Sequence, residues 1–266
     1  MKSSQRLLSI VAMEAELNSV TQTLGKFREI ILSENLKLRA RVFCSEDGIS
    51  EIFLVHSGIG LVNAALATAC ALDKEKFSGI LLLGVAGALR EDLEIGDLIV
   101  AESVLQHDSL FCDESGDHLM APGSLYVSAP LQKRVSPIFE TDSNLQGLIL
   151  DSAIRRRFPK NIVKGCLVSG SRFEANIRGK LNLSQIHTNV LGVDMEAAGV
   201  AIVAQRAQVP FLVLKTVADR LSPAGGITED YKNFLTFASQ NAGLATQLVW
   251  ENFQKNLNTN SREKLQ

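Results

Sequence analysis

Apolar residues in this chain gather into short runs, at residues 7–12, 52–56, 80–84, 98–105, 163–169 and 211–217. Most of these runs are continuous and do not alternate with polar positions, the pattern of strands buried on both faces. Helical spacing fills the intervals. Residues 61–72 are rich in Ala and Leu, and residues 197–206 follow a carboxylate suited to a helix N-terminus. The longest stretch, 228–256, repeats Phe234, Phe237, Ala238, Leu244 and Leu248 at helical intervals, predicting a face that packs on a sheet. Strand and helix alternate through most of the chain. That predicts an α/β fold, with a central, mostly parallel or mixed twisted sheet flanked by helices. No Pro- or Gly-rich linker and no internal repeat divides the sequence. Residues 1–256 are expected to form one domain and 257–266 a polar C-terminal tail that frays. The most loop-like stretch is 112–142, punctuated by Pro122, Gly123, Pro130 and Pro137.

Composition narrows the classes. A chain of 266 residues with 46% apolar and 21% charged residues can bury a large core. Its 27 Lys and Arg against 29 Asp and Glu leave a formal charge of −2, so nothing general attracts nucleic acid or an anionic membrane. No segment approaches the roughly 20 apolar residues that span a bilayer. The first apolar run is too short for most secretion signals and acidic residues follow it, so the cytoplasm is the expected location. Cys44, Cys70, Cys112 and Cys166 share no metal or disulfide spacing. They read as free thiols, with Cys70 and Cys166 as small core residues. His107, Asp108 and His118 are too few for a metal site and read as solvated loop residues.

Candidate chemistry lies at the ends of the expected strands, where open α/β sheets bind ligands. Glu14 and Glu16 follow the first, Ser57-Gly58-Ile59-Gly60 the second and Gly84-Val85-Ala86-Gly87 the third. Asp194-Met195-Glu196 and Ala218-Asp219 end two later strands. Clustered carboxylates suit acid/base chemistry when their environments separate their pKa values. Each also has a plainer reading: Glu14 and Glu16 as helix-start residues, the glycines as turns, Met13 and Met195 as core, Asp219 as a helix cap, Asp194 as a paired structural carboxylate. The Rossmann third glycine, the Walker A sequence and the G-x-S-x-G elbow are all missing from the sequence.

Taken together the motifs resemble the purine nucleoside phosphorylase/uridine phosphorylase superfamily, and within it the 5′-methylthioadenosine/S-adenosylhomocysteine nucleosidases. A-M-E-A-E from Ala12 to Glu16 is similar to that subgroup's A-M-E-x-E, and Ser57 to Gly60 to its S-G-I-G turn. Gly84 to Gly87 with Ile95-Gly96-Asp97, Val168-Ser169-Gly170 with Phe173, Val193 to Ala198, and Val209-Pro210-Phe211 through Asp219 resemble later family blocks in the same order.

The resemblance implies cleavage of an N-glycosidic bond of a purine nucleoside by a homodimer that needs no cofactor or metal. It implies that Glu16 activates water, Glu196 holds the ribose hydroxyls and Asp219 protonates purine N7. Met195 then packs on the sugar, Met13 lies near the ribose and Phe173 stacks on the base, with Ser57 and the backbone of Ala86 and Gly87 lining the site. Leu82 and Val85 stand where phosphorylases of the family carry Arg and a hydroxyl, which favours water over phosphate as the acceptor. The chain departs from the nucleosidase pattern at Ser171-Arg172, at Lys215 where Arg is common, and at Ala218, whose missing hydroxyl removes a hydrogen bond that would orient Asp219. A phosphorylase, a futalosine-type hydrolase and a weakly active nucleoside binder are the alternatives.

Overall fold

The computed structural model describes residues 5–121, 137–222, 224 and 226–263. Along the chain come β1 (Gln5–Val11), α1 (Glu14–Leu24), β2 (Arg28–Ser33), β3 (Leu38–Cys44), β4 (Ser50–His56), α2 (Leu61–Lys74) and β5 (Gly79–Ala88). Next are β6 (Leu98–Gln106), β7 (Leu110–Asp113), β8 (Gly116–Leu119), β9 (Ile138–Glu140), α3 (Ser143–Leu150) and α4 (Ser152–Arg155). The last are β10 (Ile162–Ser169), α5 (Ile177–Ser184), β11 (Val190–Asp194), α6 (Ala197–Ala207), β12 (Phe211–Asp219) and α7 (Ile227–Glu263).

Ten strands form one mixed sheet in the order β11-β10-β6-β12-β5-β1-β4-β3-β2, with β9 paired to β6. The apolar runs became its central strands: every residue of β12 is buried, as is nearly all of β5. Alternate residues of these strands feed two cores. Leu8, Ile10 and Leu82 pack with the alanines of α2 and α6, while Leu7, Val11 and Leu83 pack with α1, α3 and α7. Helices thus cover both faces, which is why the strands are mainly apolar, with a few buried polar residues such as Ser9, Lys215 and Thr216 among them.

The sheet does not simply end at β11. That strand pairs parallel with β10 on one side and antiparallel with β5 on the other, through Gly192–Ala88 and Val193–Gly87. Five strands, β5-β12-β6-β10-β11, therefore close on themselves. This closure gathers several strand ends around one mouth.

Sequence pattern alone does not reveal β2 and β3, an exposed antiparallel pair beyond β4 with mixed polar composition. The expected loop at 112–142 starts in the β7–β8 hairpin and ends in β9, while Pro122, Gly123 and Pro130 lie outside the described residues. Helix α7 continues past Asn256, where a polar tail is expected, to Glu263. Phe237 is 40% exposed, where the helical spacing predicts a packed face; its ring lies over the Gly96 turn at the edge of the sheet. Cys166 is buried as expected, whereas Cys70 is half-buried on α2. No described helix is long and apolar enough to cross a membrane.

Candidate active site

A cleft opens at the mouth of the closed strands. Its floor carries the strand-end residues Ala12, Val85, Ala86, Gly87, Val193, Asp194 and Asp219. Met13, Glu16, Ile59, Arg172, Phe173, Glu174, Met195, Glu196 and Tyr231 complete its wall.

Glu16 enters from the third position of α1, where a glutamate readily turns back to the helix start. One carboxylate oxygen accepts hydrogen bonds from the Ala12 and Met13 N–H groups at 2.9 and 3.0 Å, and the other from the Val85 N–H at 3.0 Å. The carboxylate rests directly on Gly84. A Cβ built there would lie 2.3 Å from Oε1, and the backbone stands at φ +147°, so glycine is required. Burial pushes the Glu16 carboxyl up to about 7; the Glu196 charge adds to this, while Lys215 and the two N–H groups oppose it. Glu14, two residues earlier, points into solvent.

Beneath the cleft lies a buried ionic cluster. Lys215 is fully buried, with its ammonium 3.0 Å from Asp194 Oδ2 and 3.1 Å from Glu196 Oε2. Burial alone drives the Lys215 ammonium to lose its proton, but Asp194, Glu196 and Glu16 outweigh it and hold the pKa above the ordinary lysine value. Asp194 also accepts from the Ala197 N–H, closing the start of α6, so it is a structural carboxylate as well as part of the floor. Glu196 Oε1 accepts from the Gly60 N–H at 3.0 Å, which fixes the second glycine turn against the site.

Asp219 reaches the rim through an irregularity in β12. Val217 pairs with Ala86 and Asp219 with Gly87, leaving Ala218 as an extra residue. Such a bulge re-aims the side chain that follows it. The Lys180 ammonium, from α5, bonds to Asp219 Oδ1 and donates to the Arg220 carbonyl at 3.2 Å. Burial raises the Asp219 carboxyl above its usual range, with Lys180 acting against it. A Cβ on Gly87 would stand 2.9 Å from Asp219 Oδ1 and 3.0 Å from the Lys180 ammonium, so this glycine lets both heads settle on β5.

The apolar wall is aromatic and sulfur-bearing. Phe173 meets Tyr231 edge-on at 5.1 Å between centroids, and the Tyr231 hydroxyl donates to Met13 Sδ at 3.1 Å. Burial, then the Glu16, Glu196 and Asp219 charges, push that hydroxyl up to about 12, so it stays a neutral donor at physiological pH.

Of the residues singled out from sequence, Glu16, Asp219, Met13, Ala86, Gly87, Phe173, Met195 and Glu196 converge on this cleft. Ser57 does not line it. Its hydroxyl donates to the Val11 and Gly58 carbonyls and shapes the turn leading to Gly60. Tyr231 and Lys180 carry no sequence signal of their own, since each stands outside any motif, and Glu174 follows the Phe173 block without belonging to its pattern. Arg172 and Lys215 are visible only as departures from the family pattern. His107 packs on Gly170, half-buried, and its neighbour Asp108 accepts from the Ser171 N–H. His118 bonds to Asp113 and Ser115 in the β7–β8 hairpin. Among the described residues, no group of three His, Cys, Asp or Glu side chains is arranged to hold a metal ion.

Comparison with known proteins places this geometry. A 5′-methylthioadenosine/S-adenosylhomocysteine nucleosidase of Staphylococcus aureus is 29% identical over 213 residues, covering 79% of this chain and 84% of the relative. The crystal structure of the Helicobacter pylori 5′-methylthioadenosine/S-adenosylhomocysteine nucleosidase superposes with a TM-score of 0.76 at 25% identity, covering 94% of this chain and 99% of the other. The futalosine hydrolase of the same species also gives 0.76 at 25% identity, over 93% and 97% of the two chains. The phosphorylase superfamily pattern matches residues 6–253, nearly the whole length, and the chain belongs to that superfamily.

Proposed function

We propose that this protein hydrolyses the N-glycosidic bond of a purine nucleoside, a 5′-modified adenosine of the methylthioadenosine or adenosylhomocysteine type, and releases the free base. One observation carries the choice of water over phosphate. The main-chain N–H groups of Ala12, Met13 and Val85, donors suited to an anion beneath the sugar, are already taken by Glu16. Leu82, at the position where a phosphorylase would carry Arg, is fully buried in the core. A second anion beside Glu16 would be repelled, whereas a water molecule there can lose its proton to it.

The chemistry follows from charge. As the bond breaks, positive charge grows on the ribosyl ring and negative charge on the purine. Glu16, Glu196 and Asp219 all line the cleft; in this reading the two glutamates serve the sugar and Asp219 the base. Groups placed this way bind the transition state more tightly than the substrate. Glu16 takes a proton from water as the oxygen attacks C1′, and Asp219 gives one to N7 of the leaving purine. Met13, Met195 and Phe173 provide the apolar contacts for sugar and base.

Ile59, Val62 and Leu66 present an exposed apolar stripe along the start of α2, and Ile59 also lines the cleft. This supports a homodimer formed beside the site; the likeness to methylthioadenosine/adenosylhomocysteine nucleosidases supports a role in salvage of methionine-derived nucleosides, in the cytoplasm. Arg172 stands exposed at the rim but pairs with the buried Glu174, so a second reading, a 5′ group bearing negative charge as in a futalosine-type substrate, requires that pair to open. A nucleoside panel assayed for free base, with and without phosphate, decides among these. Free adenine with no phosphate requirement is expected. Ribose 1-phosphate as the main product would overturn the hydrolytic assignment.

A further inference from the structure

We propose that Lys180 is the positioning residue and proton reservoir for Asp219, so that the acid acting on the purine is a lysine–aspartate pair and not a lone carboxyl. The inference rests on Asp219 being the general acid. Lys180 is 1% exposed and stands behind Asp219, outside the cleft lining. Its ammonium bonds to Asp219 Oδ1 and to the Arg220 carbonyl. Among the described residues it is the one side chain that donates a hydrogen bond to Asp219, and Ala218 offers no hydroxyl beside it.

Placing an ammonium in a dry site is costly, and a purely structural pair is often replaced by apolar side chains at no loss of stability. Here the carboxylate partner faces the cleft, so the ammonium has a chemical use. A carboxylate alone can deliver a proton only while it is itself protonated. Beside Lys180 the pair retains one transferable proton even when Asp219 is ionised. As the glycosidic bond breaks, a Lys180 N–H bond breaks while an Asp219 O–H bond forms. That O–H bond in turn breaks as the purine N7–H bond forms. Lys180 is left as a neutral amine and regains a proton from solvent, while the proton removed from the attacking water sits on Glu16 and returns to solvent. One water is consumed and the proton count closes.

The other charged or titratable groups around Asp219 do not replace Lys180. Asp230 on α7 is paired with Arg220 at 2.8 Å. Tyr231 on the same helix is a neutral hydroxyl bonded to Met13. Glu16 and Glu196, which also line the cleft, are carboxylates and supply no cation.

The test is adenine release by Lys180→Met and Lys180→Arg, with Asp219→Asn alongside, each measured as kcat and KM from pH 5 to pH 10. Circular dichroism and binding of an uncleaved nucleoside analogue verify folding. Lys180→Met should lose about 10²-fold in kcat, with KM within about threefold of the parent. Its alkaline limb should move to lower pH, because the limb then belongs to one carboxyl and not to a coupled pair. Lys180→Arg should not restore kcat, since guanidinium keeps the charge but does not release a proton. If Lys180→Met does not fold, Lys180→Gln carries the same prediction. An unmoved or raised alkaline limb, or full rescue by Arg, would overturn the proposal while Asp219→Asn remained inactive. A fully active Asp219→Asn would instead remove Asp219 from the chemistry.

Discussion

Replacing Glu16 with Gln tests the base and the electrostatics of the site together. In the folded protein the carboxyl is held at about 7 against an ordinary 4.5, a shift of about 2.5 units. At 1.36 kcal/mol per unit, this corresponds to ~3 kcal/mol of difference between the two charge states. The sign follows from proton counts. Below pH 4.5 the group is protonated whether folded or unfolded and contributes nothing. Between 4.5 and about 7 the unfolded chain gives up the proton while the folded chain keeps it, so stability falls as pH rises. Above about 7 the full ~3 kcal/mol has been lost. Glu16→Gln removes the titration. Urea unfolding at pH 5 and pH 8 should show the parent losing ~2.5 kcal/mol more between the two than the variant does, since part of the loss has already occurred by pH 5. The amide's mismatch with three main-chain N–H donors has a pH-independent cost and cancels in that difference. In the same samples, adenine release should fall by about 10²–10⁴-fold, because an amide takes no proton from water. Glu14→Gln, exposed at the helix start, should cost well under about tenfold. In the parent, kcat/KM should fall as pH drops through about 7, where Glu16 takes up its proton. Equal pH dependence of stability in parent and Glu16→Gln would refute the burial account. Equal losses of activity in the two Gln variants would refute the assignment of the base.

Lys215→Met leaves Asp194, Glu196 and Glu16 around a buried site without a cation, and should destabilise the fold by about 3–5 kcal/mol at pH 8. The loss should shrink on acidification as Glu16 binds its proton, and urea unfolding within about 1 kcal/mol of the parent at pH 8 would contradict the ionic cluster. Gly84→Ala drives a methyl group into Glu16 Oε1 and strains the backbone, for a cost of about 1–3 kcal/mol. It should also lower hydrolysis and shift the acid limb of the pH–rate profile, and an unchanged profile would show that Gly84 does not seat the carboxylate.

Much of this was legible because it is local. A strand buried on both faces is mainly apolar on both, so β1, β4, β5, β6, β10 and β12 announce themselves as nearly continuous apolar runs. A ligand at strand ends needs backbone approach and charge there, so Glu16, Gly84 to Gly87, Met195, Glu196 and Asp219 stand immediately after those runs. The β2–β3 pair was not legible as a continuous apolar run: β3 alternates Leu38-Arg39-Ala40-Arg41-Val42 with Ala40 and Val42 buried, and β2 beyond it buries only Leu32. Ser57 sits in a family-like turn, yet its hydroxyl is spent on main-chain carbonyls rather than on the cleft.

The sequence by itself determined which segments become the central strands and which carboxylates follow their ends, because both follow from neighbours within a few residues. Only the tertiary structure decided what those carboxylates do to one another. Closure of β11 onto β5 brings Gly192 and Val193 beside Ala88 and Gly87, and so gathers rim residues from distant parts of the chain. It seats Glu16 against the N–H of Val85, sixty-nine residues away, and Asp219 against Lys180, thirty-nine away. Charges separated by that much chain interact only once folding has removed the water between them, and no periodicity records which ones will meet.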